Sequence, residues 1–182
     1  SPGHWLRIAR RIEKDYSNFD AFLILHGSDT MAYSSSALSF MLNNLAKPVI
    51  FTGSQLPVGI PRSDARENIL TSLEIAAATN EEGGPMVPEV AVYFEYNLYR
   101  GNRLQKVSSQ DFEAFRSPNY PLLAEAGVQI KYNRQSIRSA SIGRFEVLPN
   151  LENRIAILNC FPGMSPELCL PLINNPENRA LI

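Results

Sequence analysis

The sequence is poor in the residues that build metal and redox centres. Its two cysteines, Cys160 and Cys169, form neither a disulfide framework nor a CxxC motif. Two histidines, His4 and His26, are too few to suggest a His/Cys zinc site. A charge excess is lacking as well. Against 17 Lys+Arg stand 18 Asp+Glu, and a net charge of −1 gives no electrostatic reason to expect nucleic acid. No run of about 18 uncharged apolar residues occurs, so no membrane-spanning helix is expected. Internal repeats and low-complexity tracts are absent. What remains is ordinary globular composition: 182 residues, 45% hydrophobic and 19% charged. A protein of this length buries roughly 70% of the surface its unfolded form exposes, and its apolar content excludes a disordered reading. It opens on Ser1-Pro2-Gly3 and closes on Arg179-Ala180-Leu181-Ile182, where an apolar run has just begun. Neither end reads as a natural terminus, so a piece of a longer protein is expected.

Apolar residues Trp5, Ile8, Ile12, Tyr16 and Phe19 recur at helical spacing. Residues 21–25 then read as a strand buried on both faces, 31–44 as a helix with Leu38, Met41, Leu42 and Leu45 inward, and 49–52 as a second strand. A helix is expected from Asp64, where Asp64 and Glu67 have capping-box spacing, to about Ala78. Residues 90–94 give a third continuous apolar strand. Strand, helix, strand, helix, strand predicts an α/β fold: a parallel sheet with helices on both faces. Tyr99 to Arg103 reads as a turn. Residues 127–132, 144–148 and 154–158 read as short strands, and Ser165-Pro166-Glu167 as a helix start. The expected division is a large domain over 1–140, then a linker and the start of a smaller α/β domain over 141–182.

In open parallel sheets, ligands bind beyond the carboxyl ends of the strands. Three polar clusters fall at such ends: Gly27-Ser28-Asp29-Thr30, Gly53-Ser54-Gln55, and Asn97 to Lys106. In the first, a hydroxyl, a carboxylate suited to an ammonium group and the N–H groups of a helix start lie together. That set suits both charged ends of an amino acid. Simple capping of the following helix by Ser28 or Asp29 explains the same residues. Gly53-Ser54-Gln55 is equally a turn, Lys106 with Arg100 and Arg103 a solvated basic surface, and His26 a core histidine. Ser34-Ser35-Ser36 lacks the GxSxG elbow of a hydrolase nucleophile.

Taken together the strings are more specific. Leu25-His26-Gly27-Ser28-Asp29-Thr30-Met31-Ala32-Tyr33, followed by Ser36 to Leu42, closely resembles the second signature of bacterial-type L-asparaginases, within them the cytoplasmic type I branch. Lys47-Pro48-Val49-Ile50, Thr52-Gly53-Ser54-Gln55, Glu67-Asn68-Ile69-Leu70, Leu98 to Arg103 and Phe161 to Ser165 continue the match in order. The resemblance implies a Rossmann-like asparaginase N-terminal domain and hydrolysis of L-asparagine to L-aspartate and ammonia through an acyl-enzyme. It implies neither metal nor cofactor, a homodimer or homotetramer, and a cytoplasmic location, with no nucleic-acid or membrane partner. It places the catalytic group on Ser28, Asp29 and Lys106, and substrate binding on Gly27, Ser28, Asp29 and Ser54. Asp29 is then expected to take the α-ammonium, and Lys106 to activate Ser28 or the attacking water.

Two departures stand out. Ser28 occupies a position where the family usually has threonine, and loss of the methyl frees χ1. The family's Thr-Gly-Gly-Thr nucleophile string does not occur in these 182 residues. The resemblance therefore implies that these residues alone are inactive and leave a raw sheet edge. An amidotransferase subunit acting on charged tRNA and a non-catalytic amino-acid-binding module are the alternative readings.

Overall fold

A computed structural model describes residues 1–109 and 111–182. The protein divides into two compact units, Ser1–Pro149 and Asn150–Ile182.

The first unit opens with helix α1 (Pro2–Asp15) and runs through β1 (Phe22–Leu25), α2 (Ser28–Met41), β2 (Leu42–Asn43), β3 (Val49–Thr52), α3 (Ala65–Ala77) and β4 (Val90–Phe94). After these come β5 (Asn97–Arg100), β6 (Gln105–Lys106), β7 (Phe115–Arg116), β8 (Ala124–Ala126), β9 (Ile130–Tyr132) and β10 (Glu146–Val147). Six strands form one sheet in the order β1-β3-β4-β5-β8-β9. The half from β1 to β4 is parallel, and the half from β4 to β9 is antiparallel. The sheet is thus mixed rather than wholly parallel. Helices cover both faces: residues alternate along each strand, so Val49, Phe51, Val92 and Phe94 pack toward α1 and α2. Ile50, Ala91 and Tyr93 pack on the opposite side with Ile75 of α3.

Several local expectations change. β1 is half-buried, with Leu25 64% exposed, instead of buried on both faces, because it lies at the edge of the sheet. α2 starts at Ser28, three residues earlier than its apolar spacing suggests, and stops at Met41, where Leu42–Asn43 turns into a strand paired with β10. Asp64 does not form a capping box. Its carboxylate accepts instead from the backbone N–H groups of Gln55 and Leu56, and the Ser63 hydroxyl accepts from Ala65 N.

The residues read as a turn at Tyr99-Arg100 belong to β5. The true reversal is Glu95-Tyr96, whose φ values of 43° and 66° are those of a type I′ hairpin turn. Such turns ordinarily announce themselves as Asn-Gly, a signal missing here. Asn97 donates to Glu95 O, and Asn68 accepts from Glu95 N, so side chains hold the backbone in a conformation its own residues disfavour. Arg100 is not part of a solvated basic surface. It is 9% exposed and bidentate to Glu89, at 2.6 and 3.1 Å, with Tyr120 beneath its guanidinium. Removing one partner of such a buried pair costs about 3–5 kcal/mol.

The second unit carries β11 (Ile155–Ala156) paired in parallel with β12 (Ala180–Leu181). Between them lie a 3₁₀ turn at Pro166–Leu168 and α4 (Leu170–Ile173). Ser165 caps that turn by accepting from Glu167 N, as its sequence suggests. No helix among the described residues is long and apolar enough to cross a membrane.

The left-handed backbone at Tyr96 costs a non-glycine residue about 1–2 kcal/mol, and glycine loses part of that gain to unfolded-state entropy. Tyr96→Gly is therefore expected to stabilise the protein by about 0.5–1 kcal/mol. The check is a rise in the urea midpoint at unchanged m-value.

Candidate active site

The carboxyl ends of the parallel strands carry the first two polar clusters. β1 runs out at Leu25, the backbone passes through His26-Gly27, and Gly27 in extended conformation (φ −64°, ψ 139°) serves as N-cap of α2. Ser28 and Asp29 are therefore the first two helical residues and do not cap the helix; the capping explanation of this cluster does not hold. They sit where unpaired N–H groups and the helix dipole favour an anion. The next strand end is pressed close. His26 N donates to Thr52 O at 2.8 Å, and a Cβ on Gly53 would lie 2.2 Å from His26 O. Only glycine lets the loop after β3 cross the end of β1 at that distance. The His26 ring packs 5.8 Å from Phe51 and its Nδ1 lies 2.7 Å from Gly27 O. Ser34 and Ser35 are buried and bond to Trp5 and to Gly101 O, a packing role.

Lys106 arrives from 77 residues further along the sequence than Asp29. It sits on the two-residue ribbon of β6 with β7, opposite Phe115. Phe115 is buried edge-on against Phe94, and its carbonyl accepts from the Tyr99 hydroxyl at 3.1 Å. That anchorage aims the lysine at the α2 N-terminus. Its Nζ donates to Ser28 Oγ at 2.8 Å and to Asp29 Oδ1 at 2.7 Å. The ion pair is asymmetric: the Lys106 side chain is 14% exposed and that of Asp29 is 86% exposed. The lysine side chain is mostly covered, while the carboxylate keeps an open side.

Ser28 has a second partner. Its hydroxyl donates to Gln55 Oε1 at 2.7 Å, while Gln55 Nε2 donates to Asp111 O at 2.9 Å. The carbonyl of Asp111 can only accept, which fixes the amide nitrogen there and turns the amide oxygen toward Ser28. The hydroxyl is thus held from both sides, which restrains the χ1 freedom expected of a serine. Ser54 lies half-buried beside Gln55 in the same loop. The sequence places Gln55 in a polar cluster but assigns it no role; the signal was its adjacency to Ser54 at a strand end.

A cleft of about 760 Å³ lies between α2 and the Leu104–Ser109 segment, lined by Asp29, Lys106, Tyr33, Ser36, Leu104 and Ser108. A separate cavity of about 390 Å³ touches Leu42, Pro88, Glu89 and Arg138 and contains none of the expected site residues. Among the described residues no cluster of His, Cys, Asp and Glu could hold a metal ion.

The hydrogen bond from Lys106, and then its charge, hold the Asp29 carboxyl below the ordinary carboxylate value. A depressed folded pKa gives a contribution that is complete above the unfolded value of about 3.9 and fades as pH falls through the lower folded one. A carboxyl-carbon NMR titration is expected to show Asp29 titrating below about 3.9, and to return it to the ordinary range in Lys106→Ala.

Residues 1–138 match the family model described as "Asparaginase, N-terminal". L-asparaginase 1 of Escherichia coli strain K12 is 42% identical over all 182 residues, which span 52% of that protein. A mouse 60 kDa lysophospholipase is 40% identical over 94% of the sequence, which covers 30% of it. In the crystal structure of L-asparaginase I from Vibrio cholerae, the match extends over all of this protein and 53% of that one, with a TM-score of 0.89 and 40% identity. The sequence thus spans about half the length of the bacterial relatives it matches, and it belongs to the asparaginase family.

Proposed function

We propose that these residues are the part of an L-asparagine amidohydrolase that carries the Ser28–Asp29–Lys106 group. The observation that carries the reading is the meeting of Lys106 Nζ with Ser28 Oγ and Asp29 Oδ1 at the start of α2, at 2.8 and 2.7 Å. Asp29 offers its exposed carboxylate to the α-ammonium of an amino acid. Ser28 holds the position beside the substrate amide, with Gly27 and Ser54 supplying backbone groups. The Lys106 charge lowers the proton affinity of the Ser28 oxygen and of a water bound next to it. Hydrolysis consumes one water, breaks the C–N bond of the substrate amide and releases ammonia and aspartate. The acyl-enzyme nucleophile implied by the family resemblance belongs to a string that these 182 residues do not contain. Family membership supports a homodimer or homotetramer and a cytoplasmic location as the accompanying assignments.

The test is ammonia release from L-asparagine by the whole protein that contains this sequence. Lys106→Ala and Ser28→Ala are expected to lower kcat by about 10²–10⁴, the range of general acid–base contributions. Asp29→Asn is expected to act chiefly on KM. Binding of asparagine without ammonia release would overturn the reading in favour of a binding module. Turnover of a lysophospholipid but not of asparagine would point to the activity in the mouse relative's name. Ser28→Thr is expected to change kcat only modestly, because two hydrogen bonds already hold the hydroxyl. A gain of about tenfold, worth 1.4 kcal/mol, would mean that the rotor is free after all.

A further inference from the structure

The loop that brings Gln55 to Ser28 is held by one side-chain pair, a buried Asn68 and a half-buried Asp64. Asn68, on the inner face of α3, is 0% exposed. Its Nδ2 donates to Gly53 O and to Asp64 Oδ2, both at 3.0 Å, and its Oδ1 accepts from Glu95 N at 3.1 Å. Asp64 in turn accepts from Gln55 N at 3.0 Å and from Leu56 N at 3.2 Å. One buried amide thereby ties together the end of β3, the start of α3 and the β4–β5 hairpin. The carboxylate beside it fixes the backbone of the residue whose side chain touches Ser28. A polar residue placed in a core with every donor and acceptor used sets a unique arrangement; half satisfied, it would be worse than an apolar one.

We propose that Asp64 and Asn68 are positioning residues that act on Ser28 through Gln55. The Gln55 carbonyl oxygen takes the Ser28 proton in a hydrogen bond but is too weak a base to remove it. The remaining lone pairs of Ser28 are left for Lys106 and for the bound amide. Without Asp64 the Gln55 backbone is free to shift, Oε1 leaves Ser28, and the hydroxyl proton loses the acceptor that fixes its direction, since the Lys106 ammonium can only donate. The expected consequence is a loss in the chemical step with little change in substrate affinity. The ammonium-binding carboxylate of Asp29 belongs to α2, which this pair does not hold.

This inference deepens the amidohydrolase reading and rests on it for its kinetic arm only. In that arm, Asp64→Asn is expected to lower kcat about 10- to 100-fold, the range for a misplacement of about 1 Å, with KM nearly unchanged. Asp64→Asn added to Gln55→Ala is expected to cost nothing beyond Gln55→Ala alone. Independent, multiplying losses would show a purely structural role and overturn the proposal. In the second arm, a crystal structure of Asp64→Asn in the whole protein is expected to place Gln55 Oε1 more than 3.5 Å from Ser28 Oγ, against 2.7 Å here. An unchanged separation overturns the proposal whatever the activity. If the wild-type protein releases no ammonia from asparagine, the amidohydrolase reading fails and this separation still decides the positioning role. If Asp64→Asn does not fold, Asp64→Glu keeps the charge and moves it by one methylene; the same separation is then read.

Discussion

A lysine side chain that is mostly covered needs acceptors for its ammonium group, and the site is organised around that requirement. Lys106 has a carboxylate and a hydroxyl within 2.8 Å, both from the first turn of one helix. A lysine beside a helix N-terminus is electrostatically misplaced, since that end of the dipole is positive. Asp29 offsets this by pairing with the cation, and the hydrogen bond and charge of Lys106 hold its carboxyl below the ordinary value. The exposed half of the same carboxylate stays available to a second cation. In the proposed function the pair is an internal clamp whose open side is the docking point for the α-ammonium.

Much of the first half of the fold was legible in the sequence. Continuous apolar runs at Val49 to Thr52 and Val90 to Phe94 have no polar alternation, and both strands are buried throughout. The reading failed at Glu95-Tyr96. A hairpin turn built from two residues that dislike positive φ carries no turn signal, because the stabilising partners include Asn68, far away in the sequence, as well as Asn97. Missing that reversal turns β5 into a loop and leaves the antiparallel half of the sheet unread. The buried Arg100 was missed for a related reason: its partner Glu89 becomes its neighbour only once β4 and β5 pair.

Within the candidate site, single residues said little and family strings said more. Ser28 and Asp29 looked like caps, and only the backbone conformation of Gly27 shows that they are already helical. Lys106 looked like surface, yet its side chain is mostly covered. Gln55, Asp64 and Asn68 were visible as letters inside or beside matching strings, without a reason to be there. Their reason is a set of contacts between segments 9 to 27 residues apart, which no local pattern encodes.

The placement of Lys106 follows from how the backbone leaves β5. That strand ends beside the start of β4, away from the site, and Gly101 N donates there to Val90 O at 2.9 Å. The next segment must then travel back along α2 to reach Ser28. Ser35, fully buried, donates to Gly101 O at 2.8 Å and marks the beginning of that path. From Ser35 to Ser28 is about seven helical steps, roughly 10 Å, and the roughly five steps from Gly101 to Lys106 reach about 16 Å when extended. The segment therefore has the length to run beside the helix and still deliver its lysine at the first turn. Gly101 fixes the starting point: a Cβ there would lie 2.8 Å from Val90 O and 2.9 Å from Ser39 Oγ. Any larger residue would push the segment off α2 at its root and move the ammonium group from the two oxygens it serves.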